Sequence, residues 1–253
     1  MNTAEVLALY DTAVRAEPAV VPGLSVETRD GVTRIVGPFN LITAWDLADQ
    51  SPEAAVAREA AWARDNAAAL MWRVYGHDKP ADLPLHLAAE GFVADPPATL
   101  MVLDLAEADI APGDAYIHRV ESADDLEEAI RASELAFGAP ADWQRKAFAP
   151  RLGTPGFNLF TAYVDGYPVA SGRVEIMDGM PFAGLYGGGV APAHRGKGLY
   201  RGLTAARAAL AREAGARYLA TEARDTSRPI LQALGFQPLT AVTTWTLDAD
   251  AFA

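Results

Sequence analysis

The chain has 253 residues, room for one large domain or two ordinary ones, and 51% of them are apolar, enough to bury a substantial core. It contains no cysteine, which excludes disulfides, thiolate zinc sites and a cysteine nucleophile. A net charge of −12 argues against a nucleic-acid partner, and no stretch approaches the roughly 18 consecutive apolar residues of a membrane span. The N-terminus lacks a basic region followed by an uninterrupted apolar run, so a signal peptide is not expected and a cytoplasmic location is.

The charge is unevenly spread. Residues 1–116 carry 7 Lys/Arg against 18 Asp/Glu, whereas residues 117–253 carry 14 against 15. Between residues 195 and 228 the balance reverses, with 8 basic residues and 3 acidic. An acidic chain that gathers its positive charge in one segment fits an anionic ligand there. Arg207 and Arg212 within that segment read more simply as a solvated helix face.

In chain order, the first clear elements are a strand over Ala69–Tyr75 and a helix over Ala81–Glu90, followed by Gly91-Phe92 and a strand that ends at Leu103-Asp104. Ala106–Asp114, closing in Ala-Pro-Gly-Asp, reads as a linker. Tyr116–Val120 is a short strand, and Ser122 caps a helix that runs to Phe137 with acidic first turns. A second helical stretch covers Asp142–Arg151. Leu159–Val164 and Val169–Met177 are strands joined by an Asp165-Gly166 turn, and Phe182–Val190 follows the turn at Asp178-Gly179. The helix after Gly198 places Leu199, Leu203, Ala206 and Leu210 on one stripe and stops at Gly215. Arg217–Glu222 is a strand, Ser227–Leu234 a short helix ending at Gly235, and Val242–Leu247 a last strand. This order predicts an α/β protein with a mixed sheet, antiparallel at its start, and helices on both faces.

A shift of 144 residues places Gly91-Phe92 on Gly235-Phe236, Thr99 on Thr243 and Leu103-Asp104 on Leu247-Asp248. The register shared across helix, Gly-Phe and strand indicates duplication. Two domains, 1–110 and 115–253, follow from it.

The stretch Gly187–Leu203 (GGGVAPAHRGKGLYRGL) carries the chemistry. A glycine-interrupted strand ends at Val190. After a short connection come Arg195-Gly196-Lys197-Gly198, and a helix begins. Backbone N–H groups, two cationic side chains and the positive end of a helix dipole thus converge, which favours a bound phosphate. It is not a P-loop, because Gly198 rather than Ser or Thr follows Lys197, and Ala191 stands where that motif needs glycine. The Rossmann pattern, His-Glu-x-x-His and Gly-x-Ser-x-Gly are also missing. The four histidines (His77, His86, His118, His194) lack metal-ligand spacing and read as surface or packing residues, so no metal is expected.

Val190-x-Pro192-x-x-Arg195-Gly196-Lys197-Gly198-Leu199 resembles the pyrophosphate motif of the GNAT superfamily of acyl-CoA-dependent N-acetyltransferases. Ser227-Arg228-Pro229-Ile230-Leu231 through Leu234-Gly235-Phe236 looks like that family's second cofactor motif. The resemblance covers roughly 116–247 well and 24–105 as a degenerate copy. It implies two GNAT-like domains in tandem. It also implies that Gly188, Gly189 and Val190 offer strand backbone to the pantetheine arm of acetyl-CoA, and that Arg195, Gly196, Lys197, Gly198, Leu199 and Tyr200 wrap the pyrophosphate, with Ser227 from the second motif.

There are departures. Tyr200 stands where the motif expects Gly or Ala, and Arg224 where the second motif often has Asn. Leu231 replaces a tyrosine that in many relatives protonates the departing thiolate. Candidate bases for the acceptor amine are Glu222 and Tyr186, the latter placed by alternation on the same face as Gly184 and Gly188. The N-terminal counterpart of the phosphate turn, Thr43–Glu53, is acidic and would repel a pyrophosphate; that half is expected to bind no coenzyme and to complete the acceptor pocket or pack as a structural partner. The implied activity is acetyl transfer from acetyl-CoA to a primary amine on a small molecule or peptide. Two alternatives are an acyl-CoA-binding sensor without turnover and an acyltransferase for longer acyl groups. The expected assembly is a monomer or homodimer.

Overall fold

The computed structural model describes residues 1–18 and 23–248. Helix α1 (Thr3–Tyr10) runs into a wide helical turn over Asp11–Ala16, followed by strands β1 (Ser25–Arg29), β2 (Val32–Val36) and β3 (Leu41–Trp45). Next come α2 (Pro52–Asp65), β4 (Leu70–Tyr75), α3 (Leu83–Ala89), a short β5 (Val93–Ala94) and β6 (Ala98–Asp104). Past the linker lie β7 (Tyr116–Arg119), α4 (Ala123–Phe137), α5 (Asp142–Phe148), β8 (Phe157–Val164), β9 (Tyr167–Ile176) and β10 (Phe182–Val190). The chain ends in α6 (Leu199–Glu213), β11 (Tyr218–Ala223), α7 (Arg228–Ala233) and β12 (Gln237–Leu247).

The chain forms two compact units, and each draws on both halves of the sequence. Among the described residues, the first comprises 1–18, 23–101, 222–229 and 238–248; the second comprises 102–221 and 230–237. In the first, β1, β2 and β3 form an antiparallel meander, β4 lies parallel to β3, and β12 pairs antiparallel with β4. Trp72, Ile42, Val56, Leu83, Leu87 and Leu247 are buried in its core. In the second, β7 to β10 are antiparallel to one another and β11 is parallel to β10, with the end of β6 beside β11. The mixed sheet, antiparallel at its start, is therefore as the patterning predicts.

The repeat is visible in backbone detail. Gly91 and Gly235 both take left-handed φ, +90° and +94°, at the ends of α3 and α7. Phe92 N–H donates to Leu87 O at 3.0 Å, and Phe236 N–H to Leu231 O at 3.1 Å. Both phenylalanines are buried beneath these caps. Both β1–β2 and β8–β9 turn at Asp-Gly with positive φ at each residue, the conformation that matches the twist of a two-residue hairpin. The strands that correspond in the repeat, β6 and β12, are exchanged: β12 completes the first unit, whereas β6 ends in the second.

One helix face differs from expectation. On α6 the buried positions are Leu199, Leu203, Arg207 and Ala211, with Thr204 and Ala208 beside them, while Ala206 and Leu210 are half-buried. Arg207 is thus a core residue and not part of a solvated face. Arg212 is exposed, yet its guanidinium donates to Leu105 O and Ala108 O, tying α6 to the start of the linker.

Candidate active site

The site in the second unit begins where two parallel strands part. β10 and β11 pair over Phe182–Gly184 and Tyr218–Ala220. The Thr221 hydroxyl then donates to Leu185 O at 3.1 Å, and beyond that point β10 keeps only β9 as its partner. Ala191 N–H donates to Val169 O at 2.8 Å, so alternation turns the N–H groups of Val190 and Gly188 away from β9. These donors face the opening that β11 leaves.

A bulge lies within this stretch. Tyr186 opposes Arg173, but Gly189 opposes Ser171, and Gly187 adopts φ +58° to absorb the extra residue. The inserted residue reverses the pleat. Tyr186 shares a face with Gly184, its ring occupying the space a Cβ at 184 would enter, as expected. Gly188, however, faces α6, with Tyr200 and Arg207 3.1 Å and 3.4 Å from its would-be Cβ. Alternation alone had set Tyr186 and Gly188 on one face; the bulge separates them. Gly189 faces α4, and a Cβ there would lie 2.9 Å from that of Ala136.

After β10, a single turn over Pro192–His194 leads to Arg195. Gly196 and Gly198 take φ of +75° and +77°, which side chains other than glycine adopt poorly. Gly198 is the N-cap of α6 and supplies no capping side chain, and the first turn carries no acidic residue. The first intrahelical bond runs from Gly202 N–H to Gly198 O at 3.0 Å, so the N–H groups of Leu199, Tyr200 and Arg201 have no partner within the helix. Together with the dipole they favour an anion there. Lys197 is exposed there. Arg195 has a different task from the one its charge suggests. Its Nε donates to Val190 O at 3.0 Å and its Nη2 to Ala136 O at 3.3 Å, which fastens the turn to β10 and α4. Leu199 is buried, and Tyr200 lies on Gly188 rather than out along the turn.

Tyr186 is 43% exposed, with the Arg173 guanidinium 4.7 Å from its ring centroid. Glu175, directly across the strand from Gly184, binds Arg151 at 3.0 Å and Arg173 at 2.8 Å. Burial alone would raise the Glu175 pKa, but the hydrogen bond from Arg151 and the charges of Arg173 and Arg151 outweigh it and hold the carboxyl below its usual range. Sequence reading did not single out Glu175, because its place beside Gly184 depends on the register of β9 against β10.

Glu222 and Ser227 belong to the first unit. Glu222 pairs with Arg73 at 3.3 Å. Near this pair, burial first and then Tyr75 raise the pKa of Tyr10, while burial, against the lowering charge of Arg73, raises that of Tyr75 to about 12. Ser227 donates to Arg224 O at 3.1 Å in the turn before α7, and Arg224 itself donates to Pro96 O. In the second unit Leu231 is buried at 1% exposure, with no titratable group at that position. Among the described residues, no cluster of three or more His, Asp or Glu is placed to hold a metal, and no helix is long and apolar enough to cross a membrane.

The arrangement is that of a GNAT fold, and the comparisons agree. Residues 123–236 match the Acetyltransferase (GNAT) family. In structure it is similar to a GCN5-related N-acetyltransferase from Kribbella flavida (17% identity, TM-score 0.69, 97% of this chain and 95% of that one). It is also similar to a tandem GNAT protein from the clavulanic acid biosynthesis pathway (20% identity, TM-score 0.62, 98% and 94%). A GCN5-related N-acetyltransferase from Sphaerobacter thermophilus is similar too (15% identity, TM-score 0.61, 97% and 85%). No curated protein matches. The fold is thus a tandem of GNAT-like α/β domains, the N-terminal one degenerate.

Proposed function

We propose that the chain transfers an acetyl group from acetyl-CoA directly to a primary amine. The observation that carries this reading is the adjacency, within one unit, of an uncapped glycine turn at the start of α6 and an open row of N–H donors on β10. The residues present fit acetyl-CoA. The N–H groups from Gly196 to Tyr200, with Lys197, would hold the diphosphate, and those of Gly188 and Val190 would take the pantetheine arm and the thioester carbonyl.

Acetyl-CoA supplies an activated acyl group; the protein supplies position and donors. The lone pair of the amine nitrogen forms the new C–N bond, the C–S bond breaks with its electron pair leaving on sulfur, and the nitrogen loses a proton. A backbone N–H aimed at the carbonyl oxygen stabilises the charge that develops there. Holding the two reactants together is worth roughly 7–11 kcal/mol, more than the 10²–10⁴-fold typical of general acid–base help. Turnover therefore survives an aliphatic residue at 231. Tyr186, exposed on β10, is the better-placed candidate to meet the acceptor. Glu222 already has Arg73 on its carboxylate, at 3.3 Å.

Titration calorimetry with CoA, followed by thiol release from acetyl-CoA across a panel of amines, tests the reading. Binding with amine-dependent thiol release supports it. Binding without release for any acyl length favours the sensor, for which the buried Leu231 is the motivation. An absence of binding overturns both.

A further inference from the structure

Arg207 is the most deeply buried charged side chain of the second unit, at 1% exposure. Its partners are all neutral. Nε donates to Leu203 O at 2.9 Å, Nη1 lies 3.4 Å from Arg173 O, and Nη2 lies 3.3 Å from the Thr204 hydroxyl. Tyr200 is the titratable side chain it faces, and no carboxylate is among its partners. Burial pushes the guanidinium below its ordinary pKa, the reverse of what an ion pair does. An uncompensated cation in a core is costly, and an apolar residue of similar size commonly replaces one without loss.

The backbone is shaped to seat this group. A Cβ at Gly172 on β9 would lie 2.9 Å from Nη1, and one at Gly188 on β10 would lie 3.4 Å from it. Glycines on two adjacent strands thus open the sheet to the guanidinium. It reaches the sheet at the residue whose N–H faces the opening between β10 and β11. Leu231 supplies no proton to a departing sulfur.

We propose that Arg207 is an electrostatic positioning residue: a fixed buried cation beneath Gly188 that stabilises negative charge on the thioester oxygen and the departing thiolate, in place of a general acid. This rests on the acetyl-CoA reading above and adds a residue to it. Arg207 touches no reacting atom. It acts through the Gly188 backbone and through its field, which low-dielectric surroundings leave poorly screened.

Because the chain has no cysteine, the thiol of bound CoA is the sole thiol in a sample. Its ionisation can be followed by thiolate absorbance, with the desulfo-CoA complex as blank. The bound thiol should titrate roughly one to two pH units below free CoA. Arg207→Lys should keep most of that shift, and Arg207→Met should abolish it while the ligand-free protein melts no lower than the parent. Arg207→Gln reads the same contrast if Arg207→Met does not fold. A thiol that titrates as in free CoA in the parent, or is depressed equally without the charge, overturns the proposal. Failure of CoA to bind the parent overturns the functional reading instead, so the two are separable.

Discussion

Each unit has a parallel strand pair that splays, and each places a buried arginine near the splay, but the two arginines are treated oppositely. In the first unit β3 and β4 pair only at Leu41–Ile42 and Met71–Trp72. Just beyond, Arg15 donates to Thr43 O, binds Asp78 through two oxygens at 2.8 Å and 2.9 Å, meets Asp11 at 2.7 Å and lies 4.1 Å over the Tyr75 ring. In the second unit Arg207 has only neutral partners. The helices that follow differ in the same sense. Ser51 caps α2 by accepting from Ala54 N–H, with Glu53 in the first turn; α6 opens on Gly198 with neither. One copy has satisfied its own charges and helix end, and the other leaves both available. A duplicated fold thus separates a scaffold from a site by whether its polar groups are already spent.

The largest expected effect tests the spent copy. Asp78→Ala together with Asp11→Ala strands Arg15 in the core and should cost about 3–5 kcal/mol, read as a fall in denaturant midpoint, whereas Arg207→Met should be close to neutral. Equal losses in the two would erase the contrast. Next, Lys197→Ala removes a charge that the fold does not use. It should weaken CoA by about 10-fold or more by calorimetry with the melting temperature unchanged, while Arg195→Ala should lower both, since its guanidinium holds Val190 and Ala136. Gly189→Val drives a side chain into Ala136 and Phe137 and should destabilise by about 1–3 kcal/mol in urea titrations.

Smaller effects sharpen the comparison of helix ends. Ser51→Ala should cost about 1 kcal/mol and leave CoA affinity where it was; a change in affinity would contradict the assignment of the ligand to α6 alone. The capping box of α4 gives a pH signature. Burial would raise the Asp125 pKa, but the N–H groups of Glu121 and Ser122, the Ser122 hydroxyl and His118 outweigh it and bring it to about 2. Its native value lies below the unfolded one, so its stabilisation is complete above about pH 4 and is lost as pH falls through about 2. The stability difference between parent and Asp125→Asn should shrink over that window.

The sequence by itself determined what local chemistry determines. Asp165-Gly166 makes its hairpin turn because positive φ is cheap for that pair, Ser122 caps α4, and Gly235-Phe236 repeats the bonds of Gly91-Phe92. The glycines at 196 and 198 likewise announced a turn open to an anion, since their conformation needs no distant partner. Tertiary structure decided the rest. The bulge at Gly187 turned Gly188 toward α6, register set Glu175 opposite Gly184, and Arg73 claimed Glu222. Arg207 went inward although its sequence reads as a solvated helix face, because two glycines on neighbouring strands make room that no local window records. Turns and caps are fixed by a residue's own backbone preferences; faces, partners and buried charges are fixed by what distant chain brings against them.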